Sequence, residues 1–113
     1  MTNRRLDGCF FRVMRDGHGL DVCWTDLDWE DRIDMMNKHN HEDWLLRMIQ
    51  IMNDVAERIN DEFSQVCIEP VYFPMDKQLT MNWLRTALMR ITANIILAAD
   101  ENDIQMMEAQ DGE

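Results

Sequence analysis

From Leu45 to Val66 the apolar residues Leu45, Met48, Met52, Val55, Ile59, Phe63 and Val66 recur at alternating intervals of three and four. Only a helix puts such positions on one face, because 3.6 residues complete a turn. Trp44, Ile49, Ile51 and Ala56 widen the stripe, while Gln50, Asn53, Asp54, Glu57, Arg58, Asp61 and Glu62 occupy the opposite side. With Asn40 as cap and Asp43 three residues on, the pattern predicts a helix over about 41–66, about 39 Å long at 1.5 Å per residue. A helix with so broad an apolar stripe must bury it against something of comparable length.

The counterpart lies at 76–99. Leu84, Leu88, Ile91, Ile95 and Ala98 form a second stripe, broadened by Trp83, Ala87, Met89, Ala93 and Ile96, with the start expected between Asp76 and Thr80. Its breadth predicts a central element, or one shared with a second copy in a homodimer. Pro70 and Pro74 keep residues 67–74 extended, and Val71, Tyr72 and Phe73 are candidates for an edge strand.

Upstream the period changes to two. Residues 9–14 read as a strand, and in 20–25 Leu20, Val22 and Trp24 alternate with Asp21, Cys23 and Thr25. Asp16-Gly17 between them supplies the positive φ of a hairpin turn. Thr25, with Asp28 three residues on, predicts a capped short helix over about 26–37, whose stripe is Trp29, Ile33 and Met36. The expectation is an α+β fold, mainly helical: an N-terminal β-hairpin (about 9–25) packed on two long helices (about 41–66 and 76–99), plus the short helix (about 26–37). All 113 residues form one domain, with a loose acidic tail from about 104.

Charge narrows the function. Twenty-two acids oppose 11 bases, and the net charge of −11 is concentrated in residues 21–43 and 100–113. Such a surface repels nucleic-acid phosphates and anionic membranes and attracts basic protein surfaces. The expected partner is therefore a basic surface, with no direct nucleic acid and no membrane. Cys9, Cys23 and Cys67 are odd in number and lack Cys-x-x-Cys spacing, and no leader-like apolar run follows Arg4-Arg5, so a reduced, cytoplasmic chain is expected.

Reaction chemistry finds little support. Asp26-x-Asp28-x-Glu30 opens like a calcium loop, but Asp31 and Asn37 stand where that loop needs Gly and Glu. His39 and His41, two apart on either side of Asn40, are poorly spaced for zinc and read as a helix-cap loop. There is no nucleophile elbow and no phosphate-cradling glycine loop. No enzyme, metal or cofactor is expected. What remains is a block of carboxylates, Asp21, Asp26, Asp28, Glu30, Asp31 and Asp34, with Trp29 among them as a partner-binding anchor. Met35, Met36, Met75, Met81, Met106 and Met107 are the methionines expected near a surface, where that side chain adapts to partners.

In size and charge, over its whole length, the chain resembles phage-encoded anti-defence proteins, anti-CRISPR proteins among them. The resemblance implies an inhibitor whose carboxylates mimic phosphates and occupy a groove that a bacterial defence complex uses for DNA or RNA. Two alternatives remain: an immunity protein neutralising a basic toxin by the same electrostatics, and a dimeric chaperone or adaptor that holds a partner segment on the apolar hairpin face, where Trp24 or Phe11 would matter instead.

Overall fold

The computed structural model of the chain describes residues 6–75 and 78–104. The order is β1 (Phe10–Arg15), β2 (His18–Cys23), a 3-10 turn (Trp24–Asp26), α1 (Trp29–Lys38), α2 (Glu42–Glu62) and α3 (Met81–Asn102). The α+β architecture is the expected one: an antiparallel hairpin, one short helix and two long ones. Met106 and Met107, and the acidic tail beyond Ile104, lie outside the described residues.

α2 and α3 pack along the two predicted stripes. Leu45, Met48, Ile49, Met52, Val55, Ala56 and Ile59 of α2, and Leu84, Ala87, Leu88, Ile91, Ile95 and Ala99 of α3, are buried in one continuous core. Fully burying each large side chain contributes about 1.5–3 kcal/mol, so this seam is the main apolar asset of the fold. On the outer side of α3, Ala93, Asn94 and Leu97 face solvent.

Both long helices differ from expectation at their ends. α2 starts after His41, not Asn40, and stops at Glu62. Asp61 and Glu62 crowd its C-terminus, where the helix dipole disfavours negative charge, and Phe63 turns to an extended conformation. Val66 still reaches the core, from the following loop rather than from the helix. α3 begins at Met81 because Thr80 caps it, its hydroxyl oxygen accepting the Trp83 N–H at 3.0 Å. It ends where Asp103 takes the left-handed conformation and the Ile104 N–H returns to the Ala99 carbonyl at 2.9 Å, leaving Ile104 buried.

Residues 66–75 are extended but form no strand. The expected Val71-Tyr72-Phe73 edge strand is replaced by two side-chain clamps from α2. The Asn60 side-chain amide donates to the Ile68 carbonyl at 2.9 Å and accepts its N–H at 2.7 Å. The Asn53 amide does the same for Val71, at 3.1 and 2.8 Å. Seven residues of helix rise about 10.5 Å, and three extended residues cover about 10 Å. The two periods match, so one helix face satisfies the strap's backbone antiparallel to itself.

The hairpin turns through Asp16-Gly17, both at positive φ (54° and 78°), the geometry of a two-residue turn. Phe11 pairs with Val22 and Val13 with Leu20. Val13 and Val22 are buried, whereas Leu20, near the tip, stays exposed. Trp24 is not the end of a strand. It opens the 3-10 turn, fully buried, and donates its indole N–H to the Thr92 hydroxyl at 2.9 Å, which in turn donates to the Leu88 carbonyl at 2.6 Å. Phe11, Trp24 and Trp44 form a tilted aromatic cluster with ring centres 5.7–6.2 Å apart.

The clamps carry the first prediction. Asn60→Ala removes the partners of both the N–H and the C=O of buried Ile68, so stability to urea should fall by about 1–3 kcal/mol. Asn60→Asp, which keeps an acceptor for the Ile68 N–H but loses the donor, should also destabilise. Denaturation midpoints unchanged in both variants would show that the strap is not held this way.

Candidate protein-interaction surface

The acidic block divides into three environments. Asp26 is buried, 5% exposed, within the 3-10 turn, which corrects its expected place on a partner-facing patch. The reason is local: the chain makes a tight turn under the hairpin before α1 begins, so the helix starts after Asp28 rather than at residue 26. The predicted Thr25 cap is likewise displaced; Asp28 occupies the cap position, with no side-chain cap bond. Thr25 is buried and its hydroxyl donates instead to Asp7 at 2.7 Å.

Three carboxylates are ion-paired within the chain, to two arginines. Asp21 pairs with Arg12 across the hairpin at 2.8 Å. Asp28 and Asp31 share Arg15, Asp28 at 3.4 Å. Glu30 and Asp34 remain exposed, and among the described residues neither is engaged in an ion pair. Trp29 opens the first turn just before Glu30, 55% exposed, with the Arg32 guanidinium 6.0 Å from its ring centre. Trp29 is therefore not part of the buried stripe predicted for α1. Met36 is, and Ile33 packs partly against the core. Of the other methionines expected at a surface, Met36 is buried, Met35 and Met81 are half-buried, and Met75 is fully exposed.

α1 is held rigidly from below. Arg32, 7% exposed, donates to the Leu27 carbonyl at 2.6 Å and the Trp24 carbonyl at 3.3 Å. Burial pulls its pKa below the ordinary arginine value, and the charges of Asp28, Asp31 and Asp7 oppose that pull. At the other end Arg85 of α3 donates to the Met36 carbonyl and to the side chains of Asn37 and Asn40 at 2.9–3.3 Å. A cation at a helix C-terminus also suits the dipole. His39 stacks on Trp44 at 4.9 Å, a packing contact at the junction of α1 and α2. Among the described residues no group of three His, Cys, Asp or Glu could hold a metal ion, and no helix is long and apolar enough to cross a membrane.

The residue that sequence reasoning missed is Asp7. Its carboxylate accepts from the backbone N–H groups of Cys9, Trp24 and Thr25 at 3.1–3.2 Å and from the Thr25 hydroxyl. It ties the N-terminal segment to the end of β2 and to the turn that launches α1. The only local signal is the turn it makes with the Cys9 N–H two residues on; its other donors lie 17 and 18 residues away, out of reach of local pattern. Burial pushes its pKa up, outweighing the hydrogen bonds that pull it down; the half-buried Cys9 thiol is raised too, first by burial and then by the charge of Asp7.

Comparison with protein-family models, with curated protein sequences and with solved structures gives no match for this chain.

Asp7 supplies a pH test. A carboxyl whose folded pKa is raised holds its proton more tightly when folded, so its contribution to stability is complete below the ordinary value of 3.8 and declines as pH rises through the folded value. The stability difference between the wild type and Asp7→Ala should therefore narrow as pH climbs from about 3.8. It should remain positive at neutral pH, because removing the carboxylate strips three backbone donors of a shared acceptor. A difference that widens over that range would contradict the assignment.

Proposed function

We propose that the protein is a small, non-catalytic binding protein that docks the exposed face of α1 onto a cationic surface of another macromolecule. The surface it fits best is one by which a bacterial nucleic-acid-binding complex holds DNA or RNA, and occupying it would make the chain a phage-type inhibitor of that complex. The observation that carries the reading is Trp29, more than half exposed on a pinned helix, with the outward carboxylates Glu30 and Asp34 beside it and Asp28 at the cap. Tryptophan is favoured at the energetic centre of interfaces, and carboxylates on adjacent helical turns stand about 5–6 Å apart, near the spacing of successive phosphates.

The net charge of −11 adds long-range attraction to such a target and repulsion from nucleic acid itself. The contact set is narrower than the whole acidic block: Trp29, Glu30 and Asp34 lead, with Asp28 and Asp31 available only by sharing or releasing Arg15. Asp21 is committed to Arg12, and Asp26 lies beneath the surface. The same face would serve an immunity protein on a basic toxin, and the identity of the captured partner separates the two.

The test is capture from nuclease-treated bacterial lysate at two salt concentrations. Wild type should retain a basic partner that elutes as salt rises. A variant combining Trp29→Ala, Glu30→Lys and Asp34→Lys should bind that partner about 30-fold or more weakly, the loss expected of one hot-spot side chain of about 2 kcal/mol. Reversing Asp54 and Glu57 on α2 should leave capture intact. Equal retention by wild type and the α1 variant would overturn the proposal.

A further inference from the structure

We propose that Arg15 is a built-in competitor of the partner: by holding Asp28 and Asp31 it lowers the affinity of the α1 face and reserves that face for surfaces dense enough in cations to displace it. Resting on α1-face docking, this names the residue that regulates it.

Arg15 is the last residue of β1, next to the Asp16-Gly17 turn, so its side chain leaves the hairpin at the tip. From there the guanidinium reaches the start of α1. One terminal nitrogen bonds to two carboxylates, Asp28 at the cap position, at 3.4 Å, and Asp31 three residues on. Residues three apart lie side by side on a helix, so a single cation serves both. The other terminal nitrogen donates to the Met14 carbonyl at 2.9 Å, which fixes the direction of approach.

The contact is open to contest. The Arg15 and Asp28 side chains are 34% and 62% exposed. At 3.4 Å the Asp28 bond is long for a charged pair, so its carboxylate is the one a second cation reaches first. Exposed ion pairs are weak, because water and salt screen them, and exchange at this site carries a small penalty. Asp28 directly precedes Trp29 and Glu30, so a cation gained there extends the face already described.

Tethering gives the competitor its selectivity. A group held on the same chain acts at an effective concentration on the order of millimolar. A lone lysine on a passing protein does not overcome that, whereas several cations fixed on one surface bind together and do. Arg15 therefore discriminates against scattered positive charge and in favour of a dense cationic patch.

The probe is capped tri-arginine amide, titrated into the isotope-labelled full chain and followed by NMR through the backbone amides of residues 28–34. Arg15→Gln and Arg15→Met, two neutral variants of which the second keeps an apolar stem, should bind it about fivefold more tightly than the wild type. Arg90→Gln removes the same charge from an exposed arginine of α3 that forms no ion pair among the described residues, and should tighten binding by less than about twofold. Adding Asp28→Asn and Asp31→Asn to Arg15→Gln should abolish the gain. Equal tightening by the Arg15 and Arg90 variants would reduce Arg15 to its share of the net charge and overturn the proposal, as would a gain that survives loss of both carboxylates. Docking by the α1 face and restraint by Arg15 fail separately. If the Arg15 variants tighten tri-arginine binding but lysate capture yields no partner dependent on Trp29, Glu30 and Asp34, the restraint stands and the docking falls. If capture depends on those three residues while the Arg15 variants bind tri-arginine no better than the wild type, the restraint falls and the docking stands.

Discussion

The apolar seam between α2 and α3 is the platform on which the rest of the molecule is built. Two helices of 21 and 22 residues align stripes of Leu, Ile, Met and Val, and the hairpin, the turn and the extended strap all anchor on that pair. An isolated two-stranded hairpin is marginal in water. Here it gains stability from Phe11, Val13 and Val22 on the core, and from Trp24, whose indole reaches Thr92 in the middle of α3. The extended strap at 66–75 is fixed in the same way, by asparagines on the flank of α2. A side-chain amide offers one donor and one acceptor side by side, as an extended residue does, so helix and strap pair without a sheet.

The polar contacts position elements that apolar packing alone would leave free to slide. Each neutral hydrogen bond nets only about 1 kcal/mol, but an unpartnered buried group costs about 1–3 kcal/mol. Alternative placements are therefore penalised more than the native one is rewarded. Asp7, Arg32 and Arg85 illustrate this. The first gathers donors from the hairpin end and the turn; the second joins the turn's carbonyls to α1; the third closes the far end of α1 onto α3. A short helix of 10 residues would not hold a fixed face without such ties.

The elements that were legible in the sequence are those set by periodicity and turn chemistry. The stripes at 45–59 and 84–95, the Asp16-Gly17 turn and the existence of a short helix all follow from local pattern. The helix ends did not, because the three–four spacing continues through Phe63 and Val66 although the backbone has already left the helix. Apolar spacing reports burial, and a loop can bury Val66 as well as a helix can. The acidic block was legible as a cluster but not as a surface. Asp26 and Glu30 look equivalent in sequence, and only the 3-10 turn separates a buried carboxylate from an exposed one. Partners such as Arg12 for Asp21 and Arg15 for Asp31 come from strand register and from the hairpin's placement beside α1, which local spacing does not encode.

The internal pairing changes what the net charge can do. At physiological ionic strength charges are screened over about 8 Å. A partner approaching from a distance responds to the overall excess of carboxylates, whichever of them are paired. Once in contact it meets only the groups within a few ångströms, and there a carboxylate bonded to Arg12 or Arg15 already has a cation beside it. The long-range field and the close-range chemistry of α1 therefore rest on different sets of residues: the first on the whole excess of carboxylates, the second on Glu30 and Asp34, which form no ion pair among the described residues. The hairpin's arginines set that division: Arg12 pairs with Asp21 and Arg15 with Asp28 and Asp31, whereas the Trp29 ring stays more than half exposed.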